Sequence, residues 1–155
     1  MATWSEFERS APDMAAAGRK LIYQFGPGLG YLATVRKDGG PRVHPFCPVI
    51  HDGGLYGLIG PSPKRFDLLR DGRYALHTFP QADGDDEFFV TGTARRIDDP
   101  LRRADVLATY RATGSTSSGD EVFFGFDIER ALLSIYGPRG DSGYGPPTYT
   151  KWRAH

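Results

Sequence analysis

The sequence predicts a mainly β domain, an antiparallel barrel with a few helices at its corners. Short runs of alternating apolar and polar residues follow one another along the chain and are joined by tight turns. The 20 Gly and 12 Pro residues suit many short elements, and the 39% hydrophobic content argues against disorder. Since 155 residues is the usual length of one domain, we expect residues 1–155 to fold as a single domain.

The chain should begin with an amphipathic helix. Ser10 to Asp13 predicts the start of this helix, with Ser10 as the N-cap. Apolar residues then recur at helical spacing as far as Phe25, and residues 26–28 (Gly-Pro-Gly) end the helix. Trp4 and Phe7 are expected to form a short turn before it.

The next segment changes to strand periodicity. Residues 31–35 predict the first strand, and residues 37–40 (Lys-Asp-Gly-Gly) predict a hairpin turn. Residues 42–51 form the second predicted strand, in which Pro45 and Pro48 cannot donate backbone hydrogen bonds. We therefore expect this strand to be bent, bulged or partly at an edge, before a third strand at 55–59.

The remaining elements continue this alternation of strands and helices. A helix should begin at Ser62 and run to Leu69, and a second helix should begin at residues 98–100. Further strands are predicted at 74–79, 89–97, 122–128 and 132–136, with an acidic loop at 83–87, a flexible link at 114–119 and a Gly- and Pro-rich tail at 137–149.

The charge and cysteine content exclude several classes of function. The 19 basic and 19 acidic residues balance, so we expect neither a nucleic-acid nor a membrane-surface partner. A single cysteine, Cys47, excludes an intrachain disulfide and a multi-cysteine metal cluster. The first residues do not have the pattern of a signal peptide, and no apolar run reaches about 18 residues, so we expect a cytoplasmic protein.

Two motifs with possible chemistry are interpreted as structural. Residues 28–33 (Gly-Leu-Gly-Tyr-Leu-Ala) match a dinucleotide pattern, but a helix precedes them and a strand follows, the reverse of what pyrophosphate binding needs. The histidines at 44, 51 and 77 lack the i, i+4 spacing of a helical zinc pair, and the acidic residues 83–87 lack the spacing of a calcium loop. We therefore expect no metal site.

The segment from Gly60 to Arg65 is more informative. A strand ends there and a helix begins, with a hydroxyl at Ser62 and cations at Lys64 and Arg65 in the first turn. Free backbone N–H groups and cations at a helix N-terminus are suited to holding a phosphate, and Arg42 could add a further cation. The alternative is an ordinary capped helix with solvated basic residues.

The order of these motifs resembles the pyridoxamine 5'-phosphate oxidase-like superfamily of FMN-binding split barrels, also called flavin/deazaflavin oxidoreductases. The resemblance is carried by residues 30–35, 38–45, 55–56, 62–75 and 126–133, and extends to Trp152. It implies an antiparallel split β-barrel of the FMN-binding type that forms a homodimer with two flavins at the interface.

The resemblance also implies which residues bind the flavin. Carried over by position, Arg42, Ser62 and Lys64 would hold the FMN phosphate, with Arg65 as a neighbouring candidate. The backbone of Val43, His44 and Pro45 would border the ring system, Thr78 could lie beside it, and Trp152 would cover the partner's flavin or merely close the barrel.

The sequence also departs from the superfamily pattern. Pro63 stands where many FMN-binding members have Arg or another polar residue, and the C-terminal Arg-x-His substrate signature is missing. We therefore expect an FMN-dependent oxidoreductase that does not oxidise pyridoxamine phosphate and instead passes hydride between a nicotinamide donor and a small acceptor. The residues single out no catalytic acid or base. The alternatives are a reductase that uses the 8-hydroxy-5-deazaflavin coenzyme, and a non-enzymatic flavin-binding or stress-related module. Some relatives bind heme or no cofactor.

Overall fold

A computed structural model describes residues 1–137, 140, 143 and 145–155 as an antiparallel sheet flanked by helices. The helices of this part of the chain are α1 (Trp4–Ser10), α2 (Pro12–Ile22), α3 (Pro63–Arg70) and α4 (Pro100–Ala112). Its strands are β1 (Gly30–Val35), β2 (Pro41–Phe46), β3 (Pro48–His51), β4 (Gly54–Ile59), β5 (Arg73–Thr78), β6 (Glu87–Arg96), β7 (Val122–Ile135) and β8 (Thr148–Arg153). The predicted fold class, an antiparallel split barrel with flanking helices, is confirmed.

The sheet is curved by a bend between two consecutive strands. The strand order is β2-β1-β5-β6-β7-β4-β3, so β2 and β3 lie at opposite ends of the sheet although only Cys47 separates them in sequence. The bent second strand predicted at 42–51 is therefore two strands, each at an edge. Pro45 and Pro48 flank the break, and neither can donate to a continuous ladder.

Strand β7 is the longest, and it corrects the prediction of separate strands at 122–128 and 132–136. Its first half pairs with β4 and its second half with β8, while β6 runs along its other side. The register between β6 and β7 shifts between Thr91 and Gly92, where β7 carries the extra residue Glu129. A Cβ atom at Gly92 would stand 1.9 Å from the carbonyl oxygen of Asp127, so this close approach requires glycine.

Helices α1 and α2 cover the main core. Trp4 and Phe7 of α1 are fully buried against Phe88, with ring centroids 5.5 to 6.2 Å apart. The sequence predicts Ser10 as the N-cap of the first long helix, and this is wrong. That helix is α2, whose N-cap position is held by Ala11 without a side-chain capping bond, while Ser10 ends α1 and its hydroxyl donates to the carbonyls of Glu6 and Phe7. Thr3 caps α1 through a capping box with Glu6.

The C-terminal part of the chain adds one strand that the sequence reading misses. Thr148–Arg153 pairs with β7 as β8. The prediction of an irregular tail at 137–149 falls partly on residues 138, 139, 141, 142 and 144, which lie outside the described residues. Within the described part of the chain, every helix is too short or too polar to cross a membrane.

Candidate cofactor-binding site

The β1–β2 hairpin separates its side chains onto two faces. Directly opposite residues of antiparallel strands share a face, so Thr34 and Arg42 project to the inner side, while Ala33 and Val43 project outward. Because β2 is an edge strand, its second edge is free of sheet pairing. Helix α3 packs against β1 and β6, and the side chains of Lys64 and Asp67 reach from it to β2. The site is built in this space between β2 and α3.

The hydroxyl of Ser62 marks the start of α3. Ser62 has an extended backbone and occupies the N-cap position, but its side chain makes no capping hydrogen bond. Its Oγ atom is buried and has no hydrogen-bond partner among the described residues. A buried hydroxyl without a partner costs about 1–3 kcal/mol. In the first turn of α3, Pro63 has no N–H and the N–H of Arg65 donates to the carbonyl of Ser62 at 3.0 Å, which leaves the N–H of Lys64 for a ligand. Both kinds of group are suited to an anion.

Lys64 connects the same turn of α3 to β2. Its Nζ atom donates a hydrogen bond to the carbonyl oxygen of Pro45 at 2.9 Å. The side chain is partly buried, and this burial lowers the pKa of Lys64. The ammonium group therefore lies between the helix N-terminus and the backbone of β2.

Arg42 reaches α3 through a buried carboxylate. Its Nε atom donates to Oδ2 of Asp67 at 2.7 Å, and the hydroxyl of Thr34 donates to the same oxygen at 2.9 Å. Asp67 is only 3% exposed, and Arg70 donates to its other oxygen at 3.2 Å. Burial alone would raise the pKa of Asp67, but the hydrogen bonds from Arg42, Thr34 and Arg70 outweigh it and lower the pKa. Asp67 is therefore a carboxylate at neutral pH.

The remaining predicted site residues divide into two groups. His44 faces inward opposite Leu32, and exposed Val43 and Pro45 face outward; of the three, Pro45 contacts Lys64, through its carbonyl oxygen. The structure thus places Ser62, Lys64 and the carbonyl of Pro45 at the N-terminal end of α3, and Arg42 beside Asp67, about one turn further along the helix.

Arg65, Thr78 and Trp152 lie apart from this cluster. Arg65 turns away along α3, where its Nη1 donates to the carbonyl of Asp120 at 3.0 Å. The Thr78 hydroxyl is buried in the sheet and bonds both the N–H and the carbonyl of Phe88. Trp152 packs within its own chain against the α1 side, with Nε1 donating to Ser10 Oγ at 2.9 Å.

The sequence reading misses Asp67, the residue that orders this cluster. The hairpin turn at residues 37–40 sets the register that pairs Thr34 with Arg42, so that pair could have been found. No local signal identifies Asp67, because it meets Arg42 only when α3 packs beside β2. Among the residues described, no three His, Cys, Asp or Glu side chains are placed to hold a metal ion.

Comparison with known proteins gives matches to solved structures alone. No protein-family model matches the chain, and no curated protein matches it. One similar structure is a heme-binding protein from Mycobacterium smegmatis, with a TM-score of 0.62 and 19% identity over 87% of this chain. This chain spans 57% of the length of that protein.

Two further structures have similar folds. A Clostridium acetobutylicum protein, related to general stress protein 26 of B. subtilis and of the pyridoxinephosphate oxidase family, has a TM-score of 0.63 and 13% identity. The match covers 89% of this chain and 92% of that one. Campylobacter jejuni ChuZ has a TM-score of 0.68 and 10% identity, over 90% of this chain and 59% of that one. These likenesses confirm the split-barrel fold that the resemblance to the pyridoxamine 5'-phosphate oxidase-like superfamily implies.

Proposed function

We propose that this chain is an FMN-dependent oxidoreductase that acts on a small molecule other than pyridoxamine phosphate. The observation that carries the proposal is the buried, unpartnered hydroxyl of Ser62 at the N-terminus of an eight-residue helix. Such a hydroxyl is destabilising unless a ligand accepts its hydrogen bond. The fold likeness to a protein of the pyridoxinephosphate oxidase family supports a flavin as that ligand.

The residues between β2 and α3 fit the phosphate of FMN. The Ser62 hydroxyl and the Lys64 N–H would donate to it, and the side chains of Lys64 and Arg42 would supply positive charge. Asp67 holds the Nε side of the Arg42 guanidinium, which leaves the two terminal nitrogens of Arg42 available to the phosphate. The bound flavin would supply hydride transfer between a nicotinamide donor and the acceptor, while these residues fix its position.

The outward face of the sheet supports a homodimer. Val43 is 59% exposed, and Tyr31, opposite Pro45 on the same face, packs against Phe79 with ring centroids 4.5 Å apart. This apolar surface lies beside the proposed phosphate site, so a second copy covering it would also enclose the flavin ring and exclude water. A small-molecule acceptor would then bind between the two copies.

A second candidate function is heme binding without flavin chemistry. Its support is the likeness to the mycobacterial heme-binding protein. His77 faces outward, opposite Tyr31 on one side and Phe89 on the other, which places an imidazole on an apolar surface. That arrangement suits a planar apolar ligand with an axial nitrogen.

Ligand titration separates these functions. The purified chain is titrated with FMN, the deazaflavin coenzyme and hemin, with binding followed by visible absorbance and by quenching of flavin fluorescence. We expect FMN to bind, and Ser62→Ala and Lys64→Ala each to weaken it by roughly tenfold or more, since a charge-assisted hydrogen bond contributes about 1.5–3 kcal/mol. Lys20→Ala, an exposed lysine on α2, is the matched control and should leave FMN affinity unchanged.

The other outcomes are equally informative. Binding of the deazaflavin but not FMN would keep the phosphate site and change the coenzyme. Hemin binding that His77→Ala abolishes, without flavin binding, would favour the second candidate. If FMN affinity is the same in Ser62→Ala, Lys64→Ala and the control, the phosphate site proposed here is wrong.

A further inference from the structure

Two adjoining clefts lie on either side of the turn between β1 and β2. One has a volume of about 590 Å³ and the other about 530 Å³, and Arg36 and Lys37 line both. We call this pair the turn clefts. Neither is lined by Ser62 or Lys64, but Arg42 and Asp67 line the second cleft, so the turn clefts adjoin the phosphate position proposed for FMN and share Arg42 with it.

The turn clefts concentrate positive charge. Their lining includes five cations and three carboxylates, an excess of two positive charges in a chain whose formal net charge is zero. The cations are Arg36, Lys37, Arg42, Arg70 and Arg73, and the carboxylates are Asp38, Asp67 and Asp71. Two unbalanced charges in one concave region favour a ligand that carries at least two negative charges.

Several of these cations have donors to spare. Among the described residues, the ammonium of Lys37 makes no hydrogen bond or ion pair. Arg36 donates through Nη2 alone, to the carboxylate of Asp38. Arg70 likewise uses only Nη2, which reaches the carbonyl of Val35 and a carboxylate oxygen of Asp67. The remaining guanidinium N–H groups are available to an oxyanion.

Buried and half-buried carboxylates hold the arginines in place. Asp67 binds Arg42 at one cleft and Arg70 at the other, so one buried charge orients a guanidinium toward each. Asp71 accepts several hydrogen bonds from Arg73, and these lower the pKa of Asp71 to about 2. Arginines held in this way lose little side-chain entropy when a ligand binds.

We propose that the turn clefts bind a pyrophosphate group, either as the free ion or as part of a nucleotide. The planar guanidinium group matches the spacing of phosphate oxygens. In a bound pyrophosphate, one phosphoryl group would lie in each cleft, and the shared Arg36 and Lys37 would contact both. The proposal does not require a bound flavin, because carboxylates of the chain itself hold the four arginines.

Isothermal titration of the full chain with sodium pyrophosphate, in 150 mM KCl, tests the proposal. We expect Arg36→Ala and Lys37→Ala each to weaken binding by about tenfold, since each removes a charge-assisted contact. Lys20→Ala and Arg111→Ala, both on exposed helix faces, should bind as the wild type does. Asp38→Asn should bind more tightly, because it removes negative charge while its amide oxygen can still accept the hydrogen bond from the Gly40 N–H.

A parallel titration with ADP identifies the source of the group. Tighter binding of ADP than of pyrophosphate would indicate a nucleotide, and equal or weaker binding of ADP would indicate the free ion. Thermal melts of each variant confirm that it is folded. The proposal is overturned if millimolar pyrophosphate does not bind, or if Arg36→Ala and Lys37→Ala bind as tightly as the two helix controls.

Discussion

Replacing Ser62 by alanine should make the ligand-free protein more stable and its cofactor binding weaker. Serine at an N-cap ordinarily stabilises a helix by about 1 kcal/mol, and its loss is destabilising. Here the Ser62 side chain caps nothing, and its buried Oγ has no partner among the described residues. Removing it relieves a penalty of about 1–3 kcal/mol. For a chain of this length each kcal/mol corresponds to roughly 2–4 °C, so the Tm of the apo form should rise by several degrees.

The assay is a pair of thermal melts, with and without FMN, beside a titration of FMN at constant temperature. Ser10→Ala is the matched control, because the Ser10 hydroxyl donates to two carbonyls and accepts from Trp152. This control should lower the Tm and leave FMN affinity unchanged. Ser62→Ala should raise the Tm of the apo form and weaken FMN binding by roughly tenfold or more. FMN should therefore stabilise this variant less than it stabilises the wild type.

Two results would refute parts of this reasoning. If Ser62→Ala lowers the apo Tm as Ser10→Ala does, the Ser62 hydroxyl is satisfied in solution and signals no ligand. If the Tm rises but FMN affinity stays within twofold of the wild type, the hydroxyl is unsatisfied and does not contact the phosphate.

Three further substitutions test the fold and the assembly. Because the pKa of Asp67 is lowered, its ionised form stabilises the fold above the unfolded-state pKa of about 3.9, and this stabilisation is lost as pH falls through the folded-state pKa. In urea unfolding, Asp67→Asn should cost about 3–5 kcal/mol at pH 7, and this cost should shrink as the pH is lowered below about 3.9. Gly92→Ala should lower the free energy of unfolding by about 2–4 kcal/mol in the same assay, because its Cβ would clash with the Asp127 carbonyl. The control Gly60→Ala has open space around the new Cβ and should be nearly neutral. Equal costs for the two variants would contradict the bulge geometry. Val43→Asp should convert a dimer to a monomer in light scattering, and a dimer of unchanged mass would place the interface elsewhere.

Most of the fold could be predicted from the sequence because its signals are local. The hairpin turn at 37–40, the prolines that break the strand near Cys47 and the N-cap of α4 at Asp99 each act within a few residues. The errors arise where tertiary pairing overrides a local signal. The local pattern predicts a break after residue 128, yet Glu129 is the extra residue of a bulge in β7, and the strand continues beside β6.

The site could be predicted only in part. Ser62 and Lys64 are adjacent in sequence, and Arg42 is recognisable on its strand, so motif and resemblance locate them. Thr78 illustrates the limit: its position near the end of β5 is predicted correctly, but its hydroxyl turns inward to Phe88. Which face a side chain takes depends on register across several strands, and a slip of one residue reverses it.

The charge balance between β2 and α3 links the fold to the proposed ligand. Asp67 carries one negative charge, and Arg42 and Arg70 carry two positive charges, so the network around the buried carboxylate keeps one positive charge. Lys64 adds another, although burial makes its charged form costly. A phosphate monoester carries about 1.5–2 negative charges at neutral pH, which would nearly balance these two positive charges. The buried Asp67 therefore does more than attach α3 to the barrel. It lets two arginines approach each other and leaves net positive charge, which favours a flavin with a phosphate monoester over an uncharged flavin without one.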